Sequence, residues 1–231
     1  FTYIGLQAFQ YEVAASGVCT LMLIFLTLLY KKFSKVKKRQ FYMFLVLFSL
    51  AEILGFIYWF ISSDWVKGID WPYYAANSLY IASYVFLIMH VVSSMDFRKV
   101  IKRFAGPALI LLALDIFCVY IVTDSAGSTL AVPEYILEFS YNGVIMALLS
   151  VALLNYLYRD TNKAMLFLIG TIFIVFSEII QMAYFYIVDS NDLSATYATF
   201  LVMAFLFLYV QSQLSPSKSF TELQDEEYKV S

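Results

Sequence analysis

The chain has 231 residues, of which 62% are hydrophobic and only 14% are charged, and its formal net charge is −2. Soluble domains are roughly 45–50% apolar, so a water-soluble globular domain of this size is excluded because it could not bury the excess. The mean hydropathy of +0.77 instead indicates a lipid bilayer as the surrounding solvent. We therefore expect an all-α polytopic membrane protein whose partners are membrane lipids and not nucleic acid.

Seven apolar segments of about 17–25 residues are each long enough to cross the hydrocarbon core. They cover residues 12–30, 41–62, 73–94, 104–122, 134–157, 165–188 and 195–212, and none of them contains Lys or Arg. The connections between the segments are short. The sequence thus predicts one bundle of seven transmembrane helices within residues 1–212, followed by a polar, acidic and disordered cytoplasmic tail over residues 213–231.

The basic residues are distributed unevenly between the two sets of connections. Six lie between the first two segments, four follow the third and two follow the fifth, whereas the opposite connections carry only Lys67. Cytoplasmic connections are enriched in Lys and Arg, so the N-terminus is predicted outside and the C-terminus in the cytoplasm. A bacterial inner membrane and a eukaryotic endomembrane are both consistent with this pattern.

Three acidic residues lie near the middle of apolar segments: Glu52 in the second, Asp115 in the fourth and Glu178 in the sixth. At a rise of 1.5 Å per residue, each lies about 17–20 Å from the inner end of its segment, near the bilayer midplane. An acid at that depth costs about 2.5–3.5 kcal/mol on insertion scales. We therefore expect all three to face the bundle interior or a hydrated cavity.

Other polar residues occur near these acids or at the segment ends. Gln181 is one turn from Glu178, and the remaining candidates for a supporting role are His90, Glu138, Asn142, Tyr58 and Tyr184. Two interpretations stay open for this set. The residues either line a site with the acids, or they form structural hydrogen bonds between helices.

The sequences around two of the acids are similar to each other. EILGFIYWF begins at Glu52 and EIIQMAYFY begins at Glu178, and both follow the pattern E-I-(L/I)-x-x-x-Y. The two segments are four helices apart and have the same predicted direction, as in a parallel internal repeat. This repeat predicts two equivalent carboxyl groups on opposite sides of one central cavity.

Four stretches resemble motifs of the YhhN family of membrane lysoplasmalogenases, and they occur in the family's order. LVLFSLAEIL resembles the family's LLFSLLGD motif, and SYVFLIMHVV contains an F-L-x-x-H pattern that ends at His90. VPEYILEFSYNGVIM is similar to the family's V-P-x-x-Y helix, and GTIFIVFSEIIQ to its G-x-x-x-F-x-x-S-D segment. The resemblance covers roughly residues 15–210.

The resemblance implies hydrolysis of the vinyl-ether bond of a lysoplasmalogen-type lipid. We expect no metal and no cofactor, because one His and two scattered Cys give no recognisable zinc or haem pattern. It makes Glu52 and Glu178 the two catalytic carboxyls, in positions where the family has aspartate, while Ala51 replaces a family glycine. One carboxylic acid would protonate the vinyl carbon, and the other carboxylate would position water or stabilise positive charge. Family members are expected to have eight spans, which implies a further N-terminal helix.

Other classes of seven-helix membrane protein are less consistent with the sequence. A retinal protein needs a lysine in its last span, and ATYATFLVMAFLFLYVQ has none, so we expect no retinal. The D-R-Y-like sequence of G-protein receptors is also missing after the third segment. Two alternatives remain: a non-enzymatic protein, either an accessory subunit of a larger membrane complex or a lipid-binding protein, and a small proton-coupled transporter.

Overall fold

The computed structural model describes residues 1–34, 37–61, 70–126, 130–188 and 190–214. Within these ranges the regular structure is entirely helical and comprises nine helices. In chain order they are α1 (Thr2–Ala8), α2 (Glu12–Phe33), α3 (Arg39–Tyr58), α4 (Trp71–Val92), α5 (Phe97–Arg103), α6 (Ala105–Ala126), α7 (Val132–Arg159), α8 (Asn162–Tyr186) and α9 (Asn191–Gln213).

Seven of these helices, α2, α3, α4, α6, α7, α8 and α9, are long and apolar enough to cross a membrane. Each corresponds to one of the seven predicted segments, so the predicted number and order are confirmed. The boundaries differ by a few residues. The predicted tail lies outside the described residues beyond Leu214, and so does Lys67 in the connection between α3 and α4.

Local capping explains where several helices begin. The Asp70 carboxylate accepts a hydrogen bond from the Tyr73 backbone N–H at 3.1 Å, and Pro72 follows in the first turn of α4. The Thr161 hydroxyl accepts from the Ala164 N–H at the start of α8. These side chains satisfy donors that a helix leaves unpaired at its first turn, so the two helices start before the apolar segments do.

The two short helices were not predicted from the sequence because they are too short to give a hydropathy signal. Helix α1 packs against α2 and α9, where Gln7 Nε2 donates to Tyr197 Oη at 2.6 Å. Helix α5 is capped by Asp96 and buries Val100 in a small cluster with residues of α7. Helix α1 thus closes the bundle between its first and last long helices.

The long helices form a ring in the neighbour order α2, α3, α4, α7, α8 and α9, and α1 connects α9 back to α2. Helix α6 is peripheral and packs mainly on α7. Aromatic side chains fill the centre: the ring centroids of Phe44 and Phe205 are 5.9 Å apart, and those of Phe48 and Tyr84 are 5.8 Å apart. These contacts join α3, α4 and α9 through the bundle interior.

Close packing of α8 against α9 depends on Gly170. A Cβ atom at this position would lie 3.1 Å from Leu208 Cγ and 3.3 Å from the Ala204 carbonyl oxygen. We predict that Gly170→Ala lowers the stability of the protein, because overpacking costs typically about 1–3 kcal/mol and exceeds the gain in helix propensity.

Thermal unfolding in detergent measures this effect, with Gly143→Ala on α7 as the matched control. A Cβ atom at Gly143 meets no atom within 4 Å, so that variant should unfold at the same or a slightly higher temperature. Equal unfolding temperatures for the two variants would contradict the close α8–α9 contact.

Candidate functional site

Two glutamates from different helices meet the same face of α4. Tyr80 Oη donates to Glu52 Oε1 at 2.8 Å, and Tyr84 Oη donates to Glu178 Oε1 at 2.5 Å. Residues four apart in a helix lie on one face, one turn from each other. Helix α4 therefore presents two hydroxyl groups in a row, which bind one carboxyl from α3 and one from α8.

A third tyrosine completes what we term the carboxyl–tyrosine cluster: Glu52, Glu178, Tyr80, Tyr84 and Tyr141. The Tyr141 hydroxyl on α7 also lies close to the Glu178 carboxyl, and the two glutamates interact electrostatically with each other. Neither glutamate is fully buried. The cluster therefore holds two adjacent acids in the bundle interior while leaving part of each residue accessible.

Aromatic packing fixes the tyrosines of the cluster. The Phe48 ring, one turn before Glu52 on α3, has its centroid 4.9 Å from the Tyr80 ring and 5.8 Å from the Tyr84 ring. The Tyr141 ring lies edge-on to both tyrosines of α4, at 6.4 Å and 6.0 Å. Because the rings are held by their neighbours, the hydroxyls are preorganised toward the two carboxyls.

Helix α2 lies beside Glu52 and lines a cavity. Thr20 Oγ1 donates to the Glu52 carbonyl oxygen at 3.2 Å, and the Cys19 thiol contacts the Glu52 carboxyl. Thr20 also lines a mainly apolar cavity of about 860 Å³ between α2 and α3, together with Gly17 and Phe56. One residue of the cavity lining, Thr20, is thus hydrogen-bonded to the backbone of Glu52.

Glu138 belongs to a second, separate group. Tyr73 Oη donates to Glu138 Oε1 at 2.8 Å, and Tyr186 contacts the same carboxyl. Tyr73 lies two turns before Tyr80 on α4, so this group is nearer the start of that helix than the carboxyl–tyrosine cluster. Glu138 still acts electrostatically on Glu178, although the two carboxyls have different hydrogen-bond partners.

The structure places Asp115 away from the two glutamates, unlike the predicted layer of three acids. Ser150 Oγ of α7 donates to Asp115 Oδ2 at 2.7 Å. Asn142 also faces α6, because its Nδ2 donates to Thr123 Oγ1 at 3.1 Å. The physical reason is the peripheral position of α6, whose side chains meet α7 before they can reach the bundle centre.

Tyr58 and Tyr184 match each other in the repeated sequence pattern, but their surroundings in the structure differ. Tyr58 is 40% exposed and donates to Asp70 Oδ2 at 2.9 Å, whereas Tyr184 is buried and donates to Glu12 Oε1 at 2.6 Å. Gln181 is partly buried on α8. His90 is near the opposite end of α4 from Tyr73, where its ring packs 5.5 Å from the Phe41 ring.

Sequence reasoning missed Tyr80, Tyr84 and Tyr141, which supply the hydroxyls of the cluster. The spacing of Tyr80 and Tyr84 was a usable signal, because two hydroxyls four residues apart in an apolar segment lie on one helix face. Tyrosine is common at membrane interfaces, however, and the sequence contains 19 of them. Only the tertiary contacts distinguish these three from the others.

No family model matches this sequence, and neither a curated protein nor a solved structure matches it. In its described residues the protein belongs to the class of all-helical proteins, and seven of its helices are long and apolar enough to span a membrane. Among the described residues, no group of three or more His, Cys, Asp or Glu side chains is arranged to hold a metal ion. The reactive groups of the carboxyl–tyrosine cluster are two carboxyls and three phenolic hydroxyls.

We predict an energetic coupling between Tyr84 and Glu178. In a double-mutant cycle with Tyr84→Phe and Glu178→Gln, the two effects on the free energy of unfolding should differ from additivity by about 0.6 kcal/mol and by no more than about 1.7 kcal/mol. These are the average and the maximum for hydrogen bonds between membrane helices. The measurement is equilibrium unfolding in mixed micelles. The control cycle pairs Tyr58→Phe with Glu178→Gln, whose effects should add because Tyr58 bonds Asp70 instead.

Proposed function

We propose that the protein is a YhhN-like membrane hydrolase that cleaves the vinyl-ether bond of a lysoplasmalogen-type lipid. The observation that carries this proposal is the carboxyl–tyrosine cluster, in which Glu52 and Glu178 bond tyrosines one turn apart on α4 inside the bundle. Two adjacent acids allow one group to donate a proton while the other remains ionised. That division of roles is what acid-catalysed opening of a vinyl ether requires.

The proposed reaction uses only these groups and water. The protonated carboxyl donates a proton to the outer vinyl carbon, and the ether oxygen stabilises the resulting oxocarbenium ion. The second carboxylate accepts a proton from water as the water oxygen bonds to the oxocarbenium carbon. In the breakdown of the hemiacetal, the first carboxylate accepts the hydroxyl proton and the second carboxyl donates its proton to the leaving ether oxygen as the C–O bond breaks. The products are an aldehyde and an alcohol, and both carboxyls return to their starting states.

The tyrosines and the apolar cavity would support this reaction. Tyr80 Oη donates to Glu52 Oε1 and Tyr84 Oη donates to Glu178 Oε1, so these hydrogen bonds would hold the two carboxyls in fixed orientations for proton transfer. The apolar cavity of about 860 Å³ between α2 and α3 is large enough for part of a hydrocarbon chain, and it borders Thr20 beside Glu52.

Aldehyde release tests the proposal. Purified protein in detergent should release aldehyde from a lysoplasmalogen, and Glu52→Gln or Glu178→Gln should reduce the rate at least about 100-fold, since each removes an acid or base. The matched control is Asp124→Asn, which removes an exposed acid from the end of α6. No aldehyde from the unmodified protein, or equal rates in all three variants, would rule out this activity.

A non-enzymatic subunit is the second candidate, and two observations favour it. Both carboxyls already accept hydrogen bonds from tyrosines of α4, so these contacts can join the helices without any substrate. Helix α6 also exposes large apolar side chains, among them Leu109, Ile116 and Phe117, that another membrane subunit could cover. A stable complex isolated from native membranes, together with no aldehyde release, would favour this candidate.

For orientation, we propose the N-terminus outside and the C-terminus in the cytoplasm. The basic connections support this direction, since eleven Lys or Arg residues of the described part of the chain lie at the end of the bundle where α2, α4 and α7 finish.

With both native cysteines replaced by serine, a cysteine at Lys37 should react with an impermeant thiol reagent only after the cytoplasmic side is opened. A cysteine at Asp192, at the other end of the bundle, should react in intact cells. The reverse labelling pattern would show the opposite orientation.

A further inference from the structure

The end of the bundle with the basic connections contains a cavity of about 320 Å³ that the proposed hydrolysis does not use. It lies where α2, α4, α7 and α9 end and where α3 and α8 begin. Side chains from both halves of the chain therefore meet in its lining. Tyr30, Phe41 and Phe167 belong to this lining, so the cavity has an apolar, aromatic part as well as polar groups.

Three side chains of this lining, one each from α4, α7 and α9, contain a buried polar atom that has no hydrogen-bond partner among the described residues. The atoms are His90 Nδ1, Asn155 Oδ1 and Gln211 Oε1. Asn155 is 5% exposed and Gln211 is 4% exposed, so bulk water does not surround either amide group. Buried polar groups in proteins are nearly always hydrogen-bonded, and three exceptions around one cavity indicate a ligand that pairs with them.

The hydrogen-bonding capacity of the lining narrows the class of ligand. The two amide oxygens only accept hydrogen bonds, whereas the ammonium groups of Lys38 and Lys163 in the same lining only donate them. An ionised carboxylate cannot donate to the amide oxygens, and an ammonium ligand cannot accept from the lysines. A hydroxyl group does both, and it can pair with the His90 nitrogen in either tautomer of the imidazole.

We infer that this cavity binds a neutral polyol, a compact group with hydroxyls on adjacent carbons, of which a sugar ring and an inositol ring are examples. Separate hydroxyls donate to Asn155 Oδ1 and Gln211 Oε1, and the carbon skeleton packs against the apolar part of the lining. Small-molecule sites typically combine apolar and aromatic walls with a few convergent polar groups. The cavity volume lies at the lower end of the range for such sites, about 300–1,000 Å³, which fits one ring.

This site is separate from the carboxyl–tyrosine cluster. Phe41 lines the cavity, and Glu52 follows it on α3 by eleven residues, which corresponds to about 16 Å along the helix axis. The packed rings of Phe44, Phe48 and Phe205 occupy the intervening layer. A polyol in the cavity therefore does not touch the glutamates, and the inference does not rest on the proposed hydrolysis.

The same polyol chemistry has two sources, a soluble sugar or inositol and the sugar headgroup of a glycolipid. Calorimetry on the full chain, in a detergent without a sugar headgroup, tests the soluble source with myo-inositol and D-glucose, and cyclohexanol is the control with a single hydroxyl. Native mass spectrometry tests the lipid source with monoglucosyl diacylglycerol against diacylglycerol of the same chains. Saturable binding of a soluble polyol but not of cyclohexanol, or retention of the glycolipid over diacylglycerol, supports the inference and identifies the source.

Two pairs of variants test the location of binding. Asn155→Leu and Gln211→Leu each remove one acceptor, so each should weaken polyol binding about fivefold, the effect of losing one typical hydrogen bond. The matched controls are Asn162→Leu and Gln213→Leu, which remove the same chemical groups from exposed positions and should leave the affinity unchanged.

The same variants should also change the stability of the ligand-free protein. An unpaired buried acceptor destabilises the folded state, so Asn155→Leu and Gln211→Leu should unfold at a higher temperature than the unmodified protein when no polyol is present. Added polyol should raise the unfolding temperature of the unmodified protein more than that of either variant. Thermal unfolding in the same detergent measures both effects and shows that each variant is folded.

Three results would overturn the inference. The first is that neither the soluble polyols nor the glycolipid bind. The second is that Asn155→Leu and Gln211→Leu weaken binding no more than the two exposed controls do. The third is that both variants unfold at a lower temperature than the unmodified protein without polyol, which would show that water already satisfies these two oxygens in the free protein.

Discussion

A carboxyl group inside an apolar helix bundle needs a hydrogen-bond partner from another helix, because its own helix backbone is already paired and the bilayer offers none. In this protein that requirement is met from α4, where Tyr80 and Tyr84 donate to Glu52 of α3 and Glu178 of α8. Three helices are thereby fixed relative to one another by two contacts. The packing of Phe48 and Phe205 depends on the same placement, because the Phe48 ring packs against both the Tyr80 ring and the Phe205 ring.

The polar groups of the bundle fall into separate layers along its axis. The Tyr73–Glu138 pair lies near the start of α4, and the carboxyl–tyrosine cluster lies further along that helix. A cavity lined by Lys38, His90 and Gln211 lies at the far end of α4. Packed aromatic rings separate the cluster from the cavity. Two neighbouring carboxyls suit proton transfer.

Some expectations from the sequence needed correction because hydropathy does not report which helices are neighbours. Asp115 has a similar depth to Glu52 and Glu178 by residue count, but α6 packs outside α7, so Asp115 bonds Ser150 there. Tyr58 and Tyr184 occupy matching positions in the repeated pattern, yet one is exposed beside Asp70 and the other is buried beside Glu12. A repeat in sequence did not produce equal surroundings for equivalent residues.

By itself, the sequence determined that the protein is helical, how many long helices it has and where they lie, because each depends on the length and apolarity of a continuous segment. It also identified Glu52 and Glu178 as candidate site residues, because an acid in an apolar segment costs free energy whichever helices surround it. Only the tertiary structure decided that these two acids share α4, that Asp115 is excluded, and that Lys38, Asn155 and Gln211 surround one cavity. Those outcomes depend on contacts between residues far apart in the chain, which no local pattern specifies.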